Sequence, residues 1–154
     1  MAGARRDRLL VGPTGERNVY ALHPREAALC LAESEDSLLF QLAGALAVGC
    51  RVIWPSDAET QALRASLPLD VQEAIALATD WTAPGVEFDV ALYQGSREGM
   101  LAASARLAES DGAIVGLRCF AADGEAPMEA LVFERAVSTN TAAAGGNASL
   151  MTIA

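Results

Sequence analysis

Lysine is missing from this sequence: all 11 basic residues are arginine, and there is a single histidine. Those two gaps exclude much chemistry. A P-loop needs lysine on its phosphates, and a Schiff-base enzyme needs lysine as its nucleophile. Aromatic residues are also scarce, at 5%. Apart from Arg5, Arg6 and Arg8 the arginines are scattered, so no basic, aromatic-laced stripe suits nucleic acid. There is no CxxC pair and only one histidine, so a zinc site lacks ligands. Cys30, Cys50 and Cys119 stand far apart in apolar runs, which predicts buried, inert thiols. No run reaches the roughly 18 apolar residues of a membrane span. The opening "MAGARRDRLL" lacks the apolar stretch of a secretory signal, so a cytoplasmic chain is expected.

What is present is 154 residues, a net charge of −9 and 52% hydrophobic residues, many of them alanine. That length suits one domain with a real core. Residues 1–15 read as a flexible, Gly/Pro-marked leader. "ERNVYALHP" alternates like a strand and stops at Pro24. "AALCLA", 27–32, suits a strand buried on both faces. A helix is expected over 34–49, apolar nearly all round, with Ser34 or Asp36 as cap and Gly49 as stop. "RVIW" is the next strand, and Ser56 with Glu59 forms an S-x-x-E capping box for a helix to about Leu67. A helical turn at "LDVQEA", a strand at "IALAT" and a strand over 88–95 follow. Ser96 then caps a helix to about Glu109, with Met100, Ala103 and Leu107 on one face. Strands over 112–119 and 129–139 complete the chain.

Alternating strands and helices from about 27 to 119 predict an α/β fold, a Rossmann-like parallel sheet with helices on both faces. The outer strands, near 17–23 and 130–139, alternate like an antiparallel pair and predict a projecting β-arm. Its open edges invite pairing with a second copy or another domain.

The fold invites a dinucleotide, yet G-x-G-x-x-G is absent. Glu33, Glu35 and Asp36 follow the first buried strand, where a pyrophosphate would dock on a helix N-terminus. They fit a helix capped by its own acids, and they would repel an anion. Hydrolase chemistry would have to use Ser96 or Cys119 with His23. "GSREG", 95–99, is not a nucleophile elbow, and His23 before Pro24 reads as an ordinary surface or interface residue.

"ALAVGCRVIWPSD", 45–57, resembles the A-L-A-A-G-N-T-V-V-L-K-P-S-E stretch of aldehyde dehydrogenases. "LYQGSREG", 92–99, resembles their F-T-G-S-x-x-x-G, and "AIVGLRCF", 113–120, falls where they carry V-x-L-E-L-G-G. The resemblance covers their Rossmann-like cofactor domain. By the same resemblance Trp54 replaces the lysine that contacts the cofactor ribose, and Arg118 replaces the active-site glutamate.

"GPTGERNVYALHPR", 12–25, and "ERAVSTNTAAAGGNASLMTIA", 134–154, resemble the C-terminal region of long-form proline utilization A enzymes. That bacterial family joins proline dehydrogenase and L-glutamate-γ-semialdehyde dehydrogenase in one chain. The resemblance implies a domain without an active site, packed on the active dehydrogenase. It also implies FAD and NAD in the parent and no cofactor here. The partners implied are the parent's other domains, with no membrane or nucleic acid. The terminal motif, 138–154, is implied to help close a substrate-channelling tunnel. Its interaction residues would be Asn140, Thr141, Gly145, Gly146, Asn147, Leu150, Met151 and Ile153. The competing expectation is an independent NAD-binding oxidoreductase on the same fold.

Overall fold

The computed structural model describes residues 7–13, 15–121 and 124–141. The terminal-motif residues Gly145, Gly146, Asn147, Leu150, Met151 and Ile153 lie outside that set. The elements in chain order are β1 (Arg8–Leu10), β2 (Glu16–Pro24), β3 (Ala27–Ala32), α1 (Glu35–Val48), β4 (Arg51–Pro55), α2 (Ala58–Ser66) and α3 (Leu69–Gln72). They continue with β5 (Ile75–Ala78), β6 (Val90–Gln94), α4 (Arg97–Glu109), β7 (Leu117–Cys119), a 3₁₀ turn (Met128–Leu131) and β8 (Val132–Asn140). Two compact units result: one holds Pro24–Phe133, the other the segments 7–23 and 134–141.

The first unit is a parallel sheet of order β5-β4-β3-β6-β7. Strand alternation sorts its core into two layers. Ala28, Cys30, Val52, Trp54 and Leu92 face Leu38, Leu42 and Ala45 of α1 and Leu63 of α2. Leu29, Leu31, Ile53, Ala91 and Tyr93 face Ala103 of α4 and Trp81. Met100 and Leu107 pack on the second layer beside Ala103, as their spacing predicts. Helices therefore cover both faces. The Arg106 guanidinium lies 4.2 Å from the Trp81 ring centroid and 3.2 Å from the Asp80 carboxylate, so α4 is also held from its solvent side.

The second unit is a three-stranded sheet of order β1-β2-β8, with β1 and β2 antiparallel. The two outer strands read from the sequence are thus neighbours. Arg8–Leu10, inside the segment read as a leader, forms the third strand, pairing Leu9 with Val19. Three polar-interrupted residues carry too little period for a strand to be read from sequence alone.

Four further expectations need correcting. The α2 cap sits one residue later than read: Asp57 accepts from the Thr60 amide at 2.8 Å, and Thr60 Oγ1 accepts from the Asp57 amide at 3.1 Å. Carboxylate and hydroxyl satisfy two orphan amides reciprocally, and Ser56 instead accepts from the Gln61 side chain. Asp57→Ala should therefore cost about 1 kcal/mol in urea unfolding, whereas Ser56→Ala should stay within about 0.5 kcal/mol. The strand expected over 112–119 is confined to Leu117–Cys119. Helix α1 buries Leu38, Leu42 and Ala45 but exposes Phe40 and Leu46, so it is not enclosed all round. Cys30 and Cys50 are buried, with burial pushing Cys30 up strongly and Cys50 up to about 11. Cys119, by contrast, is exposed on β7.

Candidate functional site

In a parallel sheet the natural crevice lies beyond the carboxyl ends of the two strands where chain direction reverses. Here those strands are β3 and β6: from β3 the chain moves outward through β4 to β5, and from β6 it moves outward to β7. β3 and β6 register residue by residue, ending with Leu31 beside Tyr93 and Ala32 beside Gln94. The main chain carries the pairing one step further, since the Glu33 amide donates to the Gln94 carbonyl at 3.1 Å. Glu33 is thereby aimed across the mouth of the crevice at the turn that starts α4.

Its carboxylate is held from that side by three donors. Glu33 Oε1 accepts from the Tyr93 hydroxyl and from Ser96 Oγ, each at 2.6 Å. Glu33 Oε2 accepts from the Ser96 backbone amide at 2.9 Å. Ser96 Oγ also accepts from the Gly99 amide at 3.1 Å, which makes it the N-cap of α4, as read. The Ser96 hydroxyl, then the Tyr93 hydroxyl and the Ser96 amide, hold Glu33 below the usual carboxylate range. Burial, then the Glu33 contact, raises the Tyr93 phenol. This contribution to folding is present above the ordinary carboxylate pKa and is lost as pH falls through the lowered one.

Gly95 and Gly99 leave the room this arrangement needs. A Cβ at Gly95 would lie 2.6 Å from Glu33 Cδ and 2.7 Å from the Tyr93 hydroxyl. A Cβ at Gly99 would lie 2.5 Å from Glu33 Oε1 and would overlap the Tyr93 hydroxyl. Below the carboxylate, Gln94 is buried; its Oε1 accepts from Gln41 at 3.4 Å and its amide donates to the Ala121 carbonyl. A shallow cavity of about 240 Å³ opens nearby, lined by Ala32, Pro55, Asp57, Tyr93 and Ala103 among others.

The acids singled out from sequence separate in role. Glu35 and Asp36 sit in the first turn of α1, while Ser34 caps that helix by accepting from the Ser37 amide at 3.2 Å. Glu33 leaves α1 and serves α4 instead. Trp54 is fully buried in the layer under α1 and α2. Arg118 lies exposed on β7 opposite Leu92. Asn140 ends β8, and the Thr141 amide donates to the Gly15 carbonyl at 2.7 Å. His23 stands on β2 in the second unit, and Ser96 and Cys119 belong to the first. Tyr93, Gly95 and Gly99 were not singled out as partners of Glu33. The signal that could have found them is a glycine on either side of a capping serine at a strand end.

For a dinucleotide the residues fit poorly. The β3–α1 turn has no glycines, and the α4 turn already holds a carboxylate on the Ser96 amide and hydroxyl. Among the described residues, no group of three or more His, Cys, Asp or Glu side chains is placed to hold a metal ion. No helix among them is long and apolar enough to cross a membrane.

No family model matches the chain. The bifunctional protein PutA of Escherichia coli (strain K12) is 46% identical over 154 residues, which is 99% of this chain and 12% of that protein. The chain therefore spans about an eighth of the curated relatives it matches, and their identities run from 39 to 46%. Among solved structures, the Bradyrhizobium japonicum proline utilization A mutant D779W has a TM-score of 0.57 at 22% identity, over 74% of this chain and 13% of that one. Succinate-semialdehyde dehydrogenase from Burkholderia pseudomallei has a TM-score of 0.51 at 17% identity, over 73% of this chain and 26% of that one. The relatives are thus bifunctional PutA proteins, and the fold is that of aldehyde dehydrogenase structures.

Proposed function

We propose, from this kinship with the bifunctional PutA proteins, that the chain is a non-catalytic packing domain of such a protein. The parent would oxidise proline to glutamate with FAD and NAD, and would be cytoplasmic. This domain would hold neither cofactor. Residues 16–139 would form the aldehyde-dehydrogenase-like unit and its β-arm, with Arg8–Leu10 as the arm's added strand. They would pack on the active semialdehyde dehydrogenase domain. Residues 138–154 would help close the tunnel between the two active sites. The observation that carries the reading is the identity of 46% across nearly the whole chain.

Two further features support it. The α4 amide that would greet a phosphate is committed to Glu33, and β8 is a nine-residue edge strand of the three-stranded sheet. Such an edge pairs readily with another strand, either in the dehydrogenase domain or in a second copy. Sedimentation across a concentration series distinguishes those two partners.

The terminal motif has no titratable side chain. It can act only by filling space and excluding water. Leu150, Met151 and Ile153 would each contribute about 1.5–3 kcal/mol on burial, set against about 1–2 kcal/mol per residue of backbone ordering. Docking would then depend on a preformed groove, reached by Asn140 and Thr141 and followed through Gly145, Gly146 and Asn147. Deleting 138–154 from the full-length protein is expected to lower semialdehyde oxidation and coupled proline-to-glutamate turnover, with proline dehydrogenation largely kept. Equal loss of both half-reactions would count against the tunnel role. The second reading, an independent NAD-binding oxidoreductase, draws on the likeness of the sheet to semialdehyde dehydrogenase structures. Calorimetric NAD binding to this chain would favour it.

A further inference from the structure

The crevice between β3 and β6 has the parts of an oxyanion site, yet its own chain fills them. A helix N-terminus presents unpaired amides and the positive end of the helix dipole. In α4 that end meets a carboxylate from 63 residues earlier, bonded to the Ser96 amide and to Ser96 Oγ. The Tyr93 hydroxyl closes on the same oxygen from the strand below. The space left by Gly95 and Gly99 is the space of the Glu33 side chain, because a Cβ at either position would strike it. A plain surface contact would need none of this. Glu33 is solvent-facing, and in water a lone carboxylate gains little from one hydroxyl. Three donors and two glycines converging on it make a cradle.

We propose that Glu33 is a built-in anion that closes this cradle, so that the oxyanions of a nucleotide or free phosphate are excluded by occupancy. The proposal deepens the reading of a domain without cofactor and rests on it for the wild-type protein. The physical argument is effective concentration. A group held in place by the fold competes as if present at millimolar concentration or far above, with no further loss of translational freedom. A free anion must displace it and must also approach a chain of net charge −9. Glu35 and Asp36 in the first turn of α1 and Glu98 in the first turn of α4 add negative charge at these two helix starts. This differs from the sequence expectation in place and mechanism. Repulsion was expected at the start of α1; the structure puts the carboxylate on the start of α4, bound to the donors themselves.

The test is a titration of the protein with inorganic pyrophosphate, read at the Ser96 and Gly99 amides by nuclear magnetic resonance. The wild type should show no saturable shift at millimolar pyrophosphate. Glu33→Ala should show one, with a dissociation constant lower by about tenfold or more. Glu33→Gln keeps the volume and removes the charge, which guards against an unfolded alanine variant. In it the Tyr93 phenol should ionise at lower pH than in the wild type, and pyrophosphate should shift the Ser96 amide. A structural tie alone would lower stability in these variants without creating an anion response. Folded variants that bind pyrophosphate no better than the wild type overturn the proposal. A parallel NAD titration separates the two readings. Wild-type NAD binding that leaves Ser96 and Gly99 unmoved would sink the no-cofactor reading and spare Glu33. Wild-type pyrophosphate binding at Ser96 would sink the closure itself.

Discussion

Trp54→Lys is expected to lose about 4 kcal/mol or more of folding free energy at neutral pH and to gain no affinity for NAD. Residue 54 is where the aldehyde dehydrogenase resemblance puts a cofactor-binding lysine. In this chain the position does not face the crevice. Trp54 alternates with Ile53 on β4, and it points into the layer formed with Leu38 and Leu42 of α1 and Leu63 of α2. It is fully buried. Removing the indole leaves a cavity, a loss of about 3–5 kcal/mol when a tryptophan is truncated. The lysine stem refills some of that volume, but its ammonium would sit among apolar groups without a partner. Against a total of about 5–15 kcal/mol, such a loss removes a large share of the stability.

The pH dependence identifies the cause. Burial lowers a lysine pKa in the folded state below its unfolded value near 10.4. The folded variant then binds fewer protons than the unfolded chain, so its stability rises with pH between the two values. Urea unfolding at pH 7 and again near pH 9.5 should show the variant recovering part of its loss, where the wild type shows no such gain. Trp54→Phe is the control. Among the described residues the indole Nε1 has no hydrogen-bond acceptor, so phenylalanine removes an unsatisfied donor while keeping an aromatic ring. Its cost should stay near 1 kcal/mol. A Trp54→Lys variant as stable as the wild type would mean that position 54 reaches solvent, and the burial argument would fall with it.

Which parts of this were legible in the sequence follows from the range of the forces involved. β3 read correctly because a strand buried on both faces shows as a continuous apolar run, "AALCLA", while β6, expected over 88–95, spans Val90–Gln94. Helix α4 read correctly from Ser96 and its single apolar face. Capping is local, but neighbours compete for it, and the α2 box shifted from Ser56 to Asp57 because a carboxylate lay one residue along. The 3₁₀ turn at Met128–Leu131 was not read. It is held from far away: Arg25 donates its amide to the Leu131 carbonyl and Nε to the Ala130 carbonyl at 2.7 Å. The same limit applies to the crevice. Glu33 was flagged as an anion by a phosphate position, but its partners lie 60 and 63 residues on. Nothing in the local pattern "AESEDS" says that one acid of the three leaves α1 to serve another helix. That assignment comes from the β3–β6 register, which only the folded sheet supplies.

Gly99→Ala is expected to destabilise the protein by about 2 kcal/mol, against the usual sign of that exchange. Glycine in the first turn of a helix ordinarily gains about 0.5–1 kcal/mol on becoming alanine, through reduced freedom of the unfolded chain. Gly99 is not among the residues with positive φ, so its backbone raises no objection to a side chain. The obstacle is space. The new methyl would overlap the Tyr93 hydroxyl, lie 2.5 Å from Glu33 Oε1 and lie 3.1 Å from Tyr93 Cζ. Glu33 can swing toward solvent, but Tyr93 cannot follow, since its ring is buried in the layer under α4. Relief therefore breaks the bonds of Glu33 to Tyr93 and Ser96. A double-mutant cycle isolates this contact. Tyr93→Phe removes the overlapping hydroxyl, so the pair Gly99→Ala with Tyr93→Phe should be less destabilised than the sum of the single changes, by about 1 kcal/mol. Gly116→Ala supplies the reference, because a Cβ there meets nothing within 4 Å and φ is not positive. That variant should match or slightly exceed the wild type in urea unfolding. If Gly99→Ala behaves like Gly116→Ala, the start of α4 is open space, and Glu33 is not seated against Tyr93 and Ser96 in solution.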